Sequence, residues 1–267
     1  MTALGDDGTT GPVARIAPTA PLFGVRFDLL TPEQLRAWIR EMLASPPRTR
    51  HIAFSNSEFL LEARRNERLT RYLNGCELNM CDSVGVIHGI ALVERIPRPD
   101  RLSGTVFVAT LAEEAARTGA TMFLLGSRPG VAERAAAGLA RRAPGLRVVG
   151  TADGFTGVDT VMDQVRATSP DILVVCLGNP LQERWVEDHL GELDLRLVWG
   201  AGGALDFYSG DVPLAPDWVQ RAGFEWLFRL VTNFSVARLR RQLRLVGFLA
   251  LVLRERFRRR GARPQAG

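Results

Sequence analysis

Lysine is absent from the chain, so each of its 34 basic residues is arginine, a bias of GC-rich coding rather than a functional demand. Cysteine is scarce. Cys76, Cys81 and Cys176 form no paired framework and match no zinc spacing, which excludes a disulfide scaffold and a zinc ribbon. The histidines, His51, His88 and His189, are scattered, so packing and surface hydrogen bonds are their expected roles rather than a metal cluster. No Asp-x-Asp occurs, and a metal-held diphosphate therefore lacks its usual ligand pair. A Walker motif is missing, and the dinucleotide fingerprint fails because Gly200-x-Gly202 is followed by Leu205 where glycine is required. That argues against a nicotinamide oxidoreductase. The first residues show no charged segment followed by an apolar run, so no signal peptide is expected and a reducing, cytoplasmic location follows.

What is present suits one α/β domain with extensions: 267 residues, 46% hydrophobic and 24% charged. The charge is unevenly spread. From Val219 to the end, twelve arginines face only Glu225 and Glu255, a net +10, which leaves −5 on the preceding 218 residues of a chain whose total is +5. A basic tail on an acidic body points to an anionic surface.

Residues 1–20, rich in Gly, Thr, Ala and Pro, read as a flexible leader. Strands are expected at Val25–Asp28, Ile52–Ser55, Glu77–Met80, Thr121–Leu125, Leu146–Val149, Ile172–Leu177 and Leu195–Trp199. The continuous apolar run at 172–177 is that of a strand covered on both faces. Helical patterns alternate with them: one opened by the capping box of Thr31 and Gln34, then Ser57–Leu73, Ser83–Glu94, Gly104–Arg117, Gly130–Arg142, Val158–Ala167 and Pro180–Leu190. The alternation predicts a Rossmann-like open, mostly parallel sheet with helices on both faces, over residues 21–215. Residues 216–267 form a basic, amphipathic helical appendage. Its second helix, about Ser235 to Arg260, carries Leu239, Leu243, Val246, Leu249, Leu253 and Phe257 at three- and four-residue spacing. Its longest uncharged stretch, Leu245–Leu253, has nine residues, and crossing a bilayer takes about 20. Docking on an anionic leaflet is the expectation. A core helix with a solvated basic face is the alternative, and aromatics are too sparse among the arginines for nucleic-acid binding.

Open parallel sheets bind ligands beyond the carboxyl ends of their strands. The residues there include Asn56, Asp82, the loops 126–130, 151–154 and 200–203, and Gly178-Asn179-Pro180-Leu181-Gln182. Glycine-led helix starts suit a diphosphate, although such turns need glycine in any case. Asp82 reads either as a helix N-cap or as a base. Arg101 and Gln182 taken alone would be solvated or would reach a ligand.

In combination the chain resembles the WecG/TagA/CpsF family of bacterial glycosyltransferases, from about Ile52 to Arg241. The resemblance is carried by Asn56, Asp82-Ser-Val-Gly-Val, Arg101-Leu-Ser-Gly, Phe123-Leu-Leu-Gly126, Gly150-Thr-Ala-Asp-Gly-Phe155, Gly178-Asn-Pro-Leu-Gln-Glu183, Gly203-Ala-Leu-Asp-Phe207, Ala215-Pro-Asp-Trp218 and Phe224-Glu-Trp-Leu-Phe-Arg-Leu230. It implies inverting transfer from a UDP-sugar to a polyprenyl-diphosphate-linked sugar for cell-surface polysaccharide or teichoic-acid-type synthesis, on the inner face of the membrane. It further implies Asp82 as catalytic base, with Asn56, Arg101 and Gln182 lining the pocket. Arg229, Arg238 and Arg241 would be lent by the appendage. No cofactor or metal is expected, and a homo-oligomer is left open. The chain departs from the family pattern at Phe54, Ser83, Val106 and Leu214. These departures motivate an alternative, a weakened nucleotide-sugar-binding or regulatory module of the same fold.

Overall fold

The computed structural model describes residues 17–216, 218–219, 225–232 and 236–261; along the last two helices, side chains are described for 227–228, 231–232 and 247–259. Six parallel strands form the main sheet: β3 (Arg50–Ser55), β4 (Leu78–Cys81), β5 (Thr121–Gly126), β6 (Arg147–Ala152), β7 (Ile172–Cys176) and β8 (Leu197–Gly200), in the order β4-β3-β8-β7-β5-β6. The helices between them are α1 (Pro32–Ala44), α2 (Ser57–Ala63), α3 (Glu67–Gly75), α4 (Val84–Glu94), α5 (Gly104–Thr118), α6 (Val131–Arg142), α7 (Val158–Thr168), α8 (Leu181–His189) and α9 (Ala204–Tyr208). Alternating strand residues feed two cores. Ile52, Phe54, Val174 and Trp199 pack under α1, α5, α6 and α9, while Ala53, Leu173, Val175 and Val198 pack under α2, α3, α4, α7 and α8. The expected helix-covered parallel sheet is therefore present.

Local differences have local causes. The single helix expected over 57–73 is two, because Asn66 starts a new one by accepting the Leu69 N–H. β6 continues to Ala152, through residues expected in a loop. Gly150 lies against the Phe123 ring, where a Cβ would collide, and the β5–β6 register shifts there. β1 (Thr19–Leu22) begins inside the span read as leader and pairs antiparallel with β2 (Val25–Asp28), apart from the main sheet. The hairpin turns through Phe23 (φ 52°) and Gly24 (φ 83°), the two positive φ values of the tight turn that matches strand twist. A buried network fastens it to β4. Arg26 pairs with Asp28, the Asp28 carboxylate accepts the Asn79 N–H, and Ser55 donates to Asn79 Oδ1.

The C-terminal helix, Val236–Gly261, lies along α4. Phe248 packs at Gly85, Val252 at Gly89, Arg256 donates to the Leu92 carbonyl, and Arg259 pairs with Glu94, so the two helices run parallel. A Cβ on Gly89 would stand 3.0 Å from Leu22 and 3.2 Å from Val252. Among the described residues no helix is long and apolar enough to cross a membrane.

On the opposite face Glu114 clamps α1 to α5. Its buried carboxylate accepts from Arg36 and Arg40 of α1 and from Arg117 of its own helix. Burial alone would raise this carboxyl, but the hydrogen bonds from Arg40, Arg117 and Arg36 outweigh it and hold it at about 2. The folded state thus favours the ionised form, and its stabilisation is complete above the ordinary glutamate range and lost as pH falls toward 2. Glu114→Gln should cost roughly 1.5–3 kcal/mol at pH 7. The difference from the parent should vanish as pH falls toward 2, read by chemical denaturation at a series of pH values.

Candidate active site

Asn56 follows β3 and caps α2, its Oδ1 accepting from Glu58 N (2.9 Å) and Phe59 N (3.1 Å). Ser55 and Cys81 are register partners on β3 and β4, so Asn56 and Asp82 leave adjacent strands side by side. Asp82 donates its N–H to the Ser55 carbonyl at 3.1 Å. Of its two readings, the cap does not apply to α4, where Ser83 takes that position and accepts from Val86 N. The Asp82 carboxylate reaches across instead, and Oδ1 accepts the Gly104 N–H at 3.0 Å, at the start of α5. Leu102 N–H donates to the Cys81 carbonyl at 2.9 Å, which folds the Arg101 loop over the end of β4. Asn56, Asp82 and the Arg101 backbone are thereby brought to one corner of the crevice.

Gln182 lies on the other side, after β7, two strands from β3, or about 10 Å across the sheet. It is buried (1% exposed), not solvated. Its carbonyl accepts the Gly202 N–H at 2.8 Å, and its amide nitrogen donates to Asn179 Oδ1 at 2.7 Å and Glu183 Oε1 at 2.6 Å. Gln182 is therefore a strut between the loops after β7 and β8. Between the two corners runs the β3/β8 boundary. There the chain leaves β3 toward α2 on one face and leaves β8 toward α9 on the other, the split at which open sheets place their ligands. Helices α6, α8 and α9 start at this edge with no side-chain cap among the described residues, and backbone carbonyls take part of the demand: Val131 N–H donates to Arg128, Gln182 N–H to Gly178 and Ala204 N–H to Ala201.

The parallel course of the C-terminal helix adds a third wall. Phe248 sits near the first turn of α4, so residues before it run on past that end of α4, at about 1.5 Å per residue. Its backbone carries positions 238 and 241 toward the carboxyl edge of the sheet. The side chains of Arg229, Arg238 and Arg241 lie outside the described residues.

The departures from the family pattern are spread out. Phe54 is core, in an aromatic cluster with Phe107 and Trp199 at centroid distances of 4.8 and 5.1 Å, beneath Gly104. Ser83 is the working cap of α4, Val106 is exposed, and Leu214 packs against the core. Among the described residues no three His, Cys, Asp or Glu side chains group as metal ligands.

The sequence reading left Glu183 without a role, yet its side chain is buried (4% exposed), and burial raises its carboxyl to about 7 against the hydrogen bond from Gln182. The signal was available. Glu183, Val186 and Leu190 repeat at helical spacing, which puts Glu183 on the covered face of α8.

The pattern of the Glycosyl transferase WecG/TagA/CpsF family matches residues 20–262. The chain belongs to this family. It is a glycosyltransferase. It is 29% identical over 214 residues to an N-acetylglucosaminyldiphosphoundecaprenol N-acetyl-beta-D-mannosaminyltransferase of Bacillus spizizenii, covering 80% of this chain and 81% of that one.

Within this family member, the Asp82–Gly104 bond gives a stability test free of catalysis. Asp82→Ala removes the acceptor at the start of α5 and should cost about 1 kcal/mol, whereas Asp82→Asn retains an acceptor and should stay within about 0.3 kcal/mol of the parent. Thermal unfolding of the two variants checks it.

Proposed function

We propose that this glycosyltransferase moves a sugar from a UDP-sugar to a polyprenyl-diphosphate-linked sugar, with inversion, at the inner face of the cell membrane. The observation that carries the reading is the Asp82 carboxylate, fixed by the Gly104 N–H at the carboxyl edge of a parallel sheet. The sugar classes follow the Bacillus spizizenii relative, whose name specifies an N-acetylmannosaminyl group and an N-acetylglucosaminyl-diphospho-undecaprenol acceptor.

Asp82 takes the proton of the attacking acceptor hydroxyl as its oxygen bonds to the anomeric carbon. The bond from that carbon to the UDP oxygen breaks on the opposite face, and UDP leaves with the electron pair. One displacement inverts the centre. Charge on the leaving diphosphate is met by Arg101 and by Arg229, Arg238 and Arg241. No metal takes part in this reading. Asn56 and Gln182 shape the pocket through the loops they hold, and nothing in the scheme requires a second subunit or nucleic acid.

The test is transfer and donor hydrolysis over a panel of UDP-sugars with short-chain diphosphate acceptors, run with and without chelator. Turnover should persist in chelator. Asp82→Asn should lower kcat about 10²–10⁴-fold with UDP binding kept, while Arg101→Ala should chiefly raise the donor KM. Near-parental turnover in Asp82→Asn removes that residue from the mechanism. Absence of transfer with every donor leaves a binding module of the same fold.

The membrane part rests on a second apolar stripe. Phe248 and Val252 face α4, but Leu249, Leu253 and Phe257 are exposed, flanked by exposed Arg254 and Arg258. Such a helix lies in an anionic interface. Changing Leu249, Leu253 and Phe257 together to Ser leaves the α4 face intact and should weaken sedimentation with anionic vesicles at least about tenfold, since each buried apolar side chain contributes roughly 1.5–3 kcal/mol. Unchanged sedimentation refutes the stripe as the docking surface.

A further inference from the structure

The Gln182 side chain is held at both ends. Its carbonyl oxygen faces a donor, Gly202 N–H, and its nitrogen faces two acceptors, Asn179 Oδ1 and Glu183 Oε1. A flipped amide would set oxygen against oxygen and nitrogen against N–H. The fit is also tight, because a Cβ on Gly200 would approach the Gln182 side chain to 2.8 Å.

Glu183 supplies one of those acceptors from an apolar position. It sits on the covered face of α8, and its second oxygen, Oε2, has no hydrogen-bond partner among the described residues. The ionisable groups on the elements packed around it bring no compensating charge. Tyr72 of α3 and Cys76 just beyond it are pushed up by burial and stay neutral. Arg68 of α3 is engaged by Glu187 and Asp188. A leucine at 183 would remove the orphaned oxygen and its desolvation cost. What it would forfeit is the acceptor that orients Gln182.

We propose that Glu183 is a positioning residue that fixes the Gln182 amide and through it clamps the glycine loop after β8 to the loop after β7, setting the rim that receives the donor's diphosphate. The diphosphate clause rests on the UDP-sugar reading above; the clamp does not. The clamp responds to pH, because the hydrogen bond from Gln182 favours the ionised carboxyl while burial opposes it, with the balance at about 7. Raising pH through that value strengthens the Gln182–Glu183 bond.

Amide exchange at Gly202, followed by NMR in the full-length chain, reads the clamp without any assay of transfer, and UDP titration reads the rim. Glu183→Leu should speed Gly202 exchange by about tenfold and weaken UDP binding by about fivefold. Glu183→Gln keeps a carbonyl acceptor, so it should hold both within about threefold of the parent. In the parent, Gly202 protection corrected for intrinsic exchange should rise through pH 7, and in Glu183→Gln it should be flat. That comparison stands even where the leucine variant fails to fold. Parental protection in Glu183→Leu, or the same pH dependence in parent and Glu183→Gln, overturns the clamp. A clamp behaving as stated in a chain that does not bind UDP overturns the donor reading and leaves the positioning role standing.

Discussion

Six parallel strands deliver all their carboxyl ends to one edge, and each chain segment leaving that edge for a helix must find acceptors for the N–H groups of its first turn. The two halves of this sheet meet the demand differently. Around β3 and β4 the protein supplies its own acceptors: Asn56 for α2, Ser83 for α4, and Asp82 for α5. Around β5, β7 and β8 the starts of α6, α8 and α9 have no side-chain cap among the described residues. One half uses side chains, with a carboxylate at its centre; the other uses backbone carbonyls, Arg128 for Val131, Gly178 for Gln182 and Ala201 for Ala204.

The architecture was legible because periodicity and capping agree in this chain. The run 172–177 read as a strand covered on both faces, found as Ile172–Cys176, and the Thr31–Gln34 box marked the start of α1 as found. Asn56, Asp82 and Arg101 were named through the resemblance, and the strand register is what brings Asn56, Asp82 and the Arg101 backbone to one corner. What stayed hidden was pairing across long separations. Local chemistry marks an aspartate after a strand as a cap, but it does not reveal that the helix capped begins 22 residues later, at Gly104. Nor does it distinguish a solvated Gln182 from a strut 20 residues from its partner Gly202. The first strand of the hairpin was lost for another reason: it sits at the end of a Gly-, Thr-, Ala- and Pro-rich stretch, where the buried pair Ala20 and Leu22 is too short an alternation to stand out, and the polar network of Arg26, Asp28, Asn79 and Ser55 joins residues far apart in the chain.

Buried polarity in this fold is spent on joints. Glu114 joins two helices, Asp28 joins hairpin to sheet, and Gln182 joins two loops. In each case the charged or amide group bridges elements far apart in the chain, where an apolar contact would tolerate sliding and a directional bond does not.

The glycine track of α4 against Phe248 and Val252 has a consequence for how such chains can be recombined. Gly85 and Gly89 admit this particular pair of side chains, and Phe23 at the hairpin tip closes edge-on over Phe248 at 5.7 Å. Tail, α4 and hairpin tip therefore form a single lock-and-key unit assembled from three separated stretches of sequence. A chimera that grafts a relative's tail onto this body inherits the wrong key unless residues 19–25 and 84–94 travel with it.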